Sequence, residues 1–259
     1  MKKQLLDLTL TAKEWLTDRH VLLKLTHEQP LPDAVPGQFA EVRIDGEPAT
    51  LLRRPISICN IDSQRNELWL LVATIGNGTR RLGRLDIGDR LNFLLPLGKG
   101  FTIPTALSHP TPLLIGGGVG RAPMYFLGKT MSQQGLKPSF LLGARTASDI
   151  LLADEFSKLG PVYVTTEDGT MGEKGFVTNH SILGREQFEY IATCGPKPMM
   201  VAVARYARQH GVGCEASLEN MMACGLGACL CCVEKTTKGN LCVCKEGPVF
   251  NINDLLWQI

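Results

Sequence analysis

No stretch of this 259-residue chain approaches the roughly 18 to 20 consecutive apolar residues that a membrane-crossing helix needs. Charge bias is also missing. Lys and Arg number 27 against 25 Asp and Glu, the formal net charge is +2, and no basic run stands out, so electrostatics gives no argument for a nucleic-acid or membrane partner. Lys2 and Lys3 begin the chain as a secretion signal would. Asp7 and Glu14 then interrupt any apolar core, and no small-residue cleavage site follows, so the expected location is cytoplasmic. The five histidines (His20, His27, His109, His180 and His210) are scattered. None pairs with Cys, Ser or Asp in a way that points to nucleophilic or metal-assisted hydrolysis, and all five are expected at the surface. Internal repeats and low-complexity segments are absent.

Cysteine, by contrast, is abundant. An odd total of nine fits poorly with a paired disulfide framework, and in a reducing compartment ligands or buried thiols are the better reading. Six of the nine fall between Cys224 and Cys244. The spacing Cys224-x4-Cys229-x2-Cys232, followed by a more distant Cys, has the order of plant-type [2Fe–2S] sites. Structural zinc sites usually set their thiolates in two close C-x2-C pairs, so the four-residue spacer argues against zinc. Gly225 and Gly227 lie in that spacer, where they let the loop fold tightly and turn backbone N–H groups toward sulfur. Spacing leaves the fourth ligand open between Cys242 and Cys244, with Cys231 as an extra.

Up to about Phe101 the chain shows short β-like runs, Val21–Thr26, Gln38–Ile44, Ile56–Ile61, Glu67–Ile75 and Asp89–Leu95, broken by Pro36-Gly37, Asp45-Gly46 and Gly76-Asn77-Gly78. This is the rhythm of an antiparallel barrel, with one helical interruption at Gly78–Leu85. Beyond it, strands at Pro112–Ile115, Ser139–Leu142, Val162–Thr166 and Tyr190–Thr193 alternate with helices over Pro123–Gln134, around Ala153–Leu159 and over Lys197–His210. Such alternation predicts a doubly wound parallel sheet. The expected domains are therefore a β-barrel over 1–101, an α/β nucleotide domain over 102–213, and a small module over 214–259. The last is too short for a core of its own and relies on its metal site.

Three further stretches carry chemistry. Arg53-Arg-Pro-Ile-Ser-Ile58 on a barrel strand offers a planar guanidinium fork suited to a pyrophosphate and a Ser that reaches a flavin edge. Gly76-Asn-Gly-Thr79 opens the barrel helix, whose free N–H groups suit a phosphate. Gly116-Gly-Gly-Val-Gly-Arg-Ala-Pro123 follows a strand and opens a helix, and Cys194-Gly-Pro196 ends a later strand of the same sheet. That is the carboxyl edge at which open α/β sheets bind nucleotides, although the G-x-G-x-x-G fingerprint is not met. The methionine pairs Met199-Met200 and Met221-Met222 read as packing.

Barrel, nucleotide domain and cluster, in that order, resemble the ferredoxin reductase-like flavoproteins over essentially the whole chain. Within them the chain is most similar to the electron transfer subunits of type B dihydroorotate dehydrogenases. The likeness lies in Arg54-Pro-Ile-Ser57, Gly78-Thr79, Gly116–Pro123, Cys194–Met199, Ser217-Leu-Glu219, Met222–Cys229 and, most specifically, Val243-Cys-Lys-Glu-Gly-Pro-Val-Phe250. The resemblance implies a flavin-binding barrel with FAD on Arg54, Pro55, Ile56 and Ser57, on Leu71, Val72 and Ala73, and on Gly78 and Thr79. It implies NAD on Gly116, Gly117, Gly118, Gly120, Cys194, Gly195 and Pro196, and a [2Fe–2S] cluster on Cys224, Cys229, Cys232 and Cys244, with Cys242 a bystander. Relatives often carry a basic residue near 71–73, where this chain has Val72-Ala-Thr74, so Arg80 or Arg81 is the expected substitute. Arg121 and Arg145 are the expected readers of a 2′-phosphate, were the cofactor NADP. The implied partner is an FMN-binding catalytic subunit, two copies of each assembling together. It oxidises dihydroorotate to orotate in pyrimidine biosynthesis, and electrons pass through the cluster and FAD to NAD+. No catalytic side chain is implied in this subunit. A diaphorase-type subunit of a hydrogenase, a ferredoxin:NADP oxidoreductase or a sulfur reductase would use the same three modules. A non-enzymatic, zinc-stapled adaptor is the remaining alternative.

Overall fold

The computed structural model describes residues 2–105 and 111–257, so His109 lies outside the described residues. Six antiparallel strands close the N-terminal barrel: β1 (Gln4–Thr17), β2 (His20–Thr26), β3 (Phe39–Val42), β4 (Arg54–Asp62), β5 (Glu67–Ala73) and β6 (Arg90–Leu97), in the order β1-β2-β5-β4-β3-β6. Period-two alternation fills the interior. Leu8 and Leu10 of β1, Val21, Leu23 and Leu25 of β2, Leu68, Leu70 and Val72 of β5, and Leu91, Phe93 and Leu95 of β6 share one core. Sequence patterning does not single out β1, which turns out to close the barrel. Its first half pairs with β6 and its second with β2, with irregularities at Leu10/Ala12 and Trp15/Thr17 where the strand bends round the corner. Helix α1 (Asn77–Gly83) follows β5 and buries Leu82 in the barrel core.

The α/β part comprises β7 (Leu113–Gly117), α2 (Arg121–Gln133), β8 (Ser139–Ala144), α3 (Ala153–Ser157), β9 (Val162–Thr166), β10 (Glu173–Lys174), α4 (Ile182–Arg185), β11 (Tyr190–Cys194), α5 (Lys197–Gln209) and β12 (Gly213–Ser217). The chain moves outward from β7 through β8 and β9 to β10, then crosses back to place β11 and β12 on the other side of β7. All these neighbours are parallel, as the alternating strand–helix pattern predicts. Helix α2 begins two residues before Pro123, which sits in the first turn, where its missing N–H costs nothing.

The C-terminal segment adds the hairpin β13 (Val233–Thr236) and β14 (Gly239–Cys242), and then β15 (Val249–Asn251), which pairs antiparallel with β12 at the sheet edge. The 213/214 boundary read from sequence falls within β12, a strand of the parallel sheet. Cys232, Val243, Cys244, Phe250 and Ile252 belong to the same apolar cluster as Met200, Val203 and Ala207 of α5, and Phe39 and Leu97 of the barrel join it. The cysteine-rich segment thus shares a core with its neighbours, as its length requires. Among the described residues no helix is long and apolar enough to cross a membrane.

Candidate functional site

Sulfur chemistry dictates the first part of the site. The cysteine loop runs between β12 and β13, and two left-handed glycines, Gly225 (φ 66°) and Gly227 (φ 82°), give it its sharp turns. Backbone donors point at sulfur as a result. Leu226 N–H donates to Cys224 Sγ at 3.3 Å, Gly227 N–H to Cys244 Sγ at 3.1 Å and Cys244 N–H to Cys232 Sγ at 3.3 Å. The thiols lie in two pairs, Cys224 within hydrogen-bonding reach of Cys229, and Cys244 of Cys232. Two iron atoms, each taking two thiolates, call for such a two-plus-two arrangement. The Leu226 N–H is the main reason the Cys224 thiol is drawn down to about 6, whereas burial pushes Cys244 up to about 12. The Cys242 thiol donates toward the Gly227 carbonyl at 3.8 Å, and Cys229 and Cys231 are both exposed. Met222 packs against the shared core as anticipated, but Met221 is 84% exposed, a departure from the packing expected of that pair.

Strand β4 supplies the second part. Arg54, Pro55, Ile56 and Ser57 are all half-buried, a row open enough to receive a ring system. The turn into α1 comes close to them: a Cβ on Gly78 would lie 3.0 Å from Arg54 Nε and 3.1 Å from Thr50 Cγ2, so Gly78 and Arg54 meet as a phosphate site requires. Thr79 Oγ1 both accepts from Gly76 N–H and donates to Gly76 O at 3.1 Å, which leaves it partnered within its own turn. Leu71 and Val72 turn their side chains into apolar cores, so any ligand contact from that stretch runs through backbone or the half-buried Ala73. Of the two arginines expected to substitute nearby, Arg81 Nε donates to Asp45 O at 3.2 Å, and Arg80 reaches Asn77 Oδ1 at 3.4 Å.

Strand order reverses between β7 and β11, and at such a reversal the loops leaving the two strands diverge to form a crevice. Gly116 and Gly117 are the last residues of β7, while Gly118 (φ 55°) and Gly120 make the turn into α2. Gly120 touches the other loop directly: an added Cβ would lie 2.4 Å from Cys194 C and O and 2.5 Å from Gly195 N. Gly118 has nothing within 4 Å of such a Cβ, so the space beside it is open. The Gly116–Gly120 and Cys194–Pro196 loops are therefore brought together. Arg121 is unsuited to reading a 2′-phosphate. It is completely buried, and its guanidinium donates to the carbonyls of Asp149 and Gly143, bracing the loop ends from beneath. Glu219, which follows β12, has its carboxyl pushed up by burial and lies 4.0 Å from the Cys194 thiol.

Residues 219–256 match the model of the iron–sulfur cluster binding domain of dihydroorotate dehydrogenase B, and residues 114–205 match that of the oxidoreductase NAD-binding domain. The electron transfer subunit of dihydroorotate dehydrogenase B (NAD(+)) from Lysinibacillus sphaericus is 39% identical over 229 residues, covering 86% of this chain and 88% of that one. The protein of the same name from Listeria monocytogenes is 41% identical over 223 residues, covering 85% and 87%. The chain belongs to this family of electron transfer subunits. Among solved structures, that of an NADH-dependent reduced ferredoxin–NADP oxidoreductase superposes with a TM-score of 0.86 at 27% identity, covering 96% of this chain and 90% of that one. A ferredoxin reductase of carbazole 1,9a-dioxygenase follows at 0.69 and 21%, covering 82% and 67%. An electron transfer subunit of this kind is an oxidoreductase component built for FAD, NAD and an iron–sulfur cluster, and barrel, switch-point crevice and cysteine loop match those three needs in turn. Sequence reasoning about the family passes over one buried carboxylate on the barrel, Glu41, whose place becomes visible only when β3 is seen against the cysteine loop.

Proposed function

We propose that this chain conveys electrons from an FMN-containing catalytic subunit that oxidises dihydroorotate, by way of a [2Fe–2S] cluster and FAD, to NAD+. Cys224, Cys229, Cys232 and Cys244 hold the cluster, Arg54–Ser57 with Gly78 and Thr79 hold the flavin, and Gly116–Gly120 with Cys194–Pro196 hold the nicotinamide nucleotide. Residues 1–101, 102–213 and 214–259 divide that labour, and the complex is cytoplasmic with two copies of each subunit. The carrying observation is that the cysteine loop meets β3 where Gly225 contacts Glu41, and that β3 pairs antiparallel with β4, Phe39 opposite Ser57 and Glu41 opposite Pro55.

A bound flavin supplies the exchange between single electrons and a hydride pair, which neither an iron–sulfur group nor a nicotinamide performs alone. The protein's own part is placement. The Arg54 guanidinium offers a fork to a pyrophosphate, the Leu226 and Gly227 N–H groups stabilise negative charge on sulfur, and the half-buried row on β4 excludes water from one ring face. No side chain is required to move a proton.

Copurification tests the reading. The chain should bring down an FMN-containing partner, show iron and FAD absorbance, and support dihydroorotate-dependent NAD+ reduction in the complex. The similarity to the ferredoxin–NADP oxidoreductase structure favours a second reading, a diaphorase-type subunit of such an enzyme, which a complex lacking FMN and inert toward dihydroorotate would establish instead.

A further inference from the structure

Glu41 is fully enclosed, at 0% exposure, and neither oxygen of its carboxyl group has a hydrogen-bond partner. Burying a carboxyl unpaired is costly, so its presence calls for a physical reason. Alternation along β3 explains its direction. Ala40 and Val42 point into the barrel core, so Phe39 and Glu41 point out, and Phe39 enters the apolar cluster that contains Cys232 and Cys244. Glu41 meets Gly225, the residue after Cys224. A Cβ at Gly225 would lie 2.8 Å from Glu41 Cγ, 3.0 Å from Leu97 Cδ1 and 3.2 Å from Glu41 Oε1. The glutamate thus fills the space left by the glycine's missing side chain. Its backbone partners are Pro55 on the flavin strand and Leu94 on β6, and its carbonyl accepts from Arg53 Nη1 at 3.3 Å.

We propose that Glu41 is a positioning residue for the iron–sulfur group: wedged against Gly225, it fixes the Cys224 end of the cysteine loop to the flavin-binding face of the barrel. The proposal rests on the cluster reading above and adds to it a residue outside the cysteine motif. A wedge acts through shape, so the isosteric glutamine should serve almost as well, whereas alanine should free the loop.

The experiment compares wild type, Glu41→Ala and Glu41→Gln in the purified complex. Iron loss to a chelator, the EPR spectrum of the dithionite-reduced cluster, FAD content and the thermal midpoint are recorded for each. Glu41→Ala is expected to lose iron about tenfold faster with a shifted or broadened EPR signal, while FAD content and thermal midpoint stay at wild-type values. Glu41→Gln should restore both iron retention and the EPR signal to within twofold of wild type. Iron loss and EPR in Glu41→Ala indistinguishable from wild type would overturn the proposal, as would loss of FAD and midpoint together with iron, which marks a general fault in the barrel. Failure of Glu41→Gln to rescue would overturn the wedge as well. A wild-type protein without iron would instead overturn the cluster reading itself.

Discussion

Trp69 on β5 and Tyr125 on α2 lie with their rings 4° from parallel and their centroids 6.0 Å apart, joining the barrel to the nucleotide domain. Tyr125 is in turn met edge-on by Phe156 at 5.6 Å, and Lys129, one turn further along α2, donates to Asn60 on β4 at 3.0 Å. Burial pushes the Tyr125 hydroxyl up to about 12. Tyr125→Ala should cost about 3 to 5 kcal/mol, the usual range for emptying a buried aromatic site. Tyr125→Phe should stay within about 1.5 kcal/mol, since the ring and its volume are kept. Thermal unfolding followed by flavin release checks both.

The two cysteines of the β14 end should separate cleanly. Cys244 accepts the Gly227 N–H and pairs with Cys232, whereas Cys242 turns toward a carbonyl. Cys244→Ser should abolish the cluster, and Cys242→Ser and Cys231→Ser should keep it. Iron and acid-labile sulfide per chain, with the visible spectrum, provide the readout.

Two glycines two positions apart, Gly118 and Gly120, should fail in different ways. Gly120→Ala pushes a methyl against the Cys194 and Gly195 backbone and should separate the two loops, lowering the thermal midpoint and NADH affinity together. Gly118→Ala meets no neighbour, so its stability cost should be the left-handed strain of about 1 to 2 kcal/mol. Its NADH dissociation constant should nevertheless rise at least tenfold, because in the proposed nucleotide site the methyl occupies space meant for the diphosphate. Calorimetric titration with NADH alongside a melting curve distinguishes the cases.

Acid should destabilise the fold in two stages. Burial lowers the pKa of both His20 and His180, with Arg19 adding to the effect at His20 and Glu173 opposing it at His180. At these two histidines the unfolded chain takes up protons first, so their contribution to stability falls as pH drops through about 6.5, while Glu41, with its carboxyl raised to about 7, contributes in the opposite sense over the same range. Glu173 and Asp168 are held below the ordinary carboxylate range, chiefly by hydrogen bonds from Ser181 and Thr170 respectively. Their stabilisation is present at neutral pH and is lost only as pH falls through those depressed values. A melting-temperature profile should show an upper step near pH 6.5, reduced in His180→Gln, and a lower one below pH 4.

Short-range patterning made most of this architecture readable. Val162–Thr166 appears as expected, and the barrel strands after β1 differ by only a few residues at their ends. Strand β1 was hidden because Leu6, Leu8 and Leu10 alternate properly while Ala12-Lys-Glu-Trp-Leu16 has no such period, and the strand bends where the pattern changes. Gly116 and Gly117 read as loop because glycine usually marks a turn, yet here they extend β7 where Arg121, Pro196 and Met199 come too close for a side chain. The cysteine spacing was legible on its own, but it leaves Cys242 and Cys244 as alternatives, and the preference for Cys244 comes from the resemblance of Val243–Phe250 to the family. Glu41 carried no signal at all. Its meaning arises only from a contact across 184 positions of chain, the kind that one-dimensional periodicity cannot express.

The Gly247-Pro248 step has a consequence for anyone wishing to move this metal site elsewhere. Lys99 N–H donates to the Gly247 carbonyl, Leu218 N–H donates to the Pro248 carbonyl at 2.9 Å, and β15 then edges the sheet. The segment is stitched to both larger domains within two residues. It is therefore not a transplantable cassette: grafting residues 219–256 onto another scaffold would leave its apolar underside bare, and a successful chimaera must carry the buried face of α5 and the end of β6 along with it.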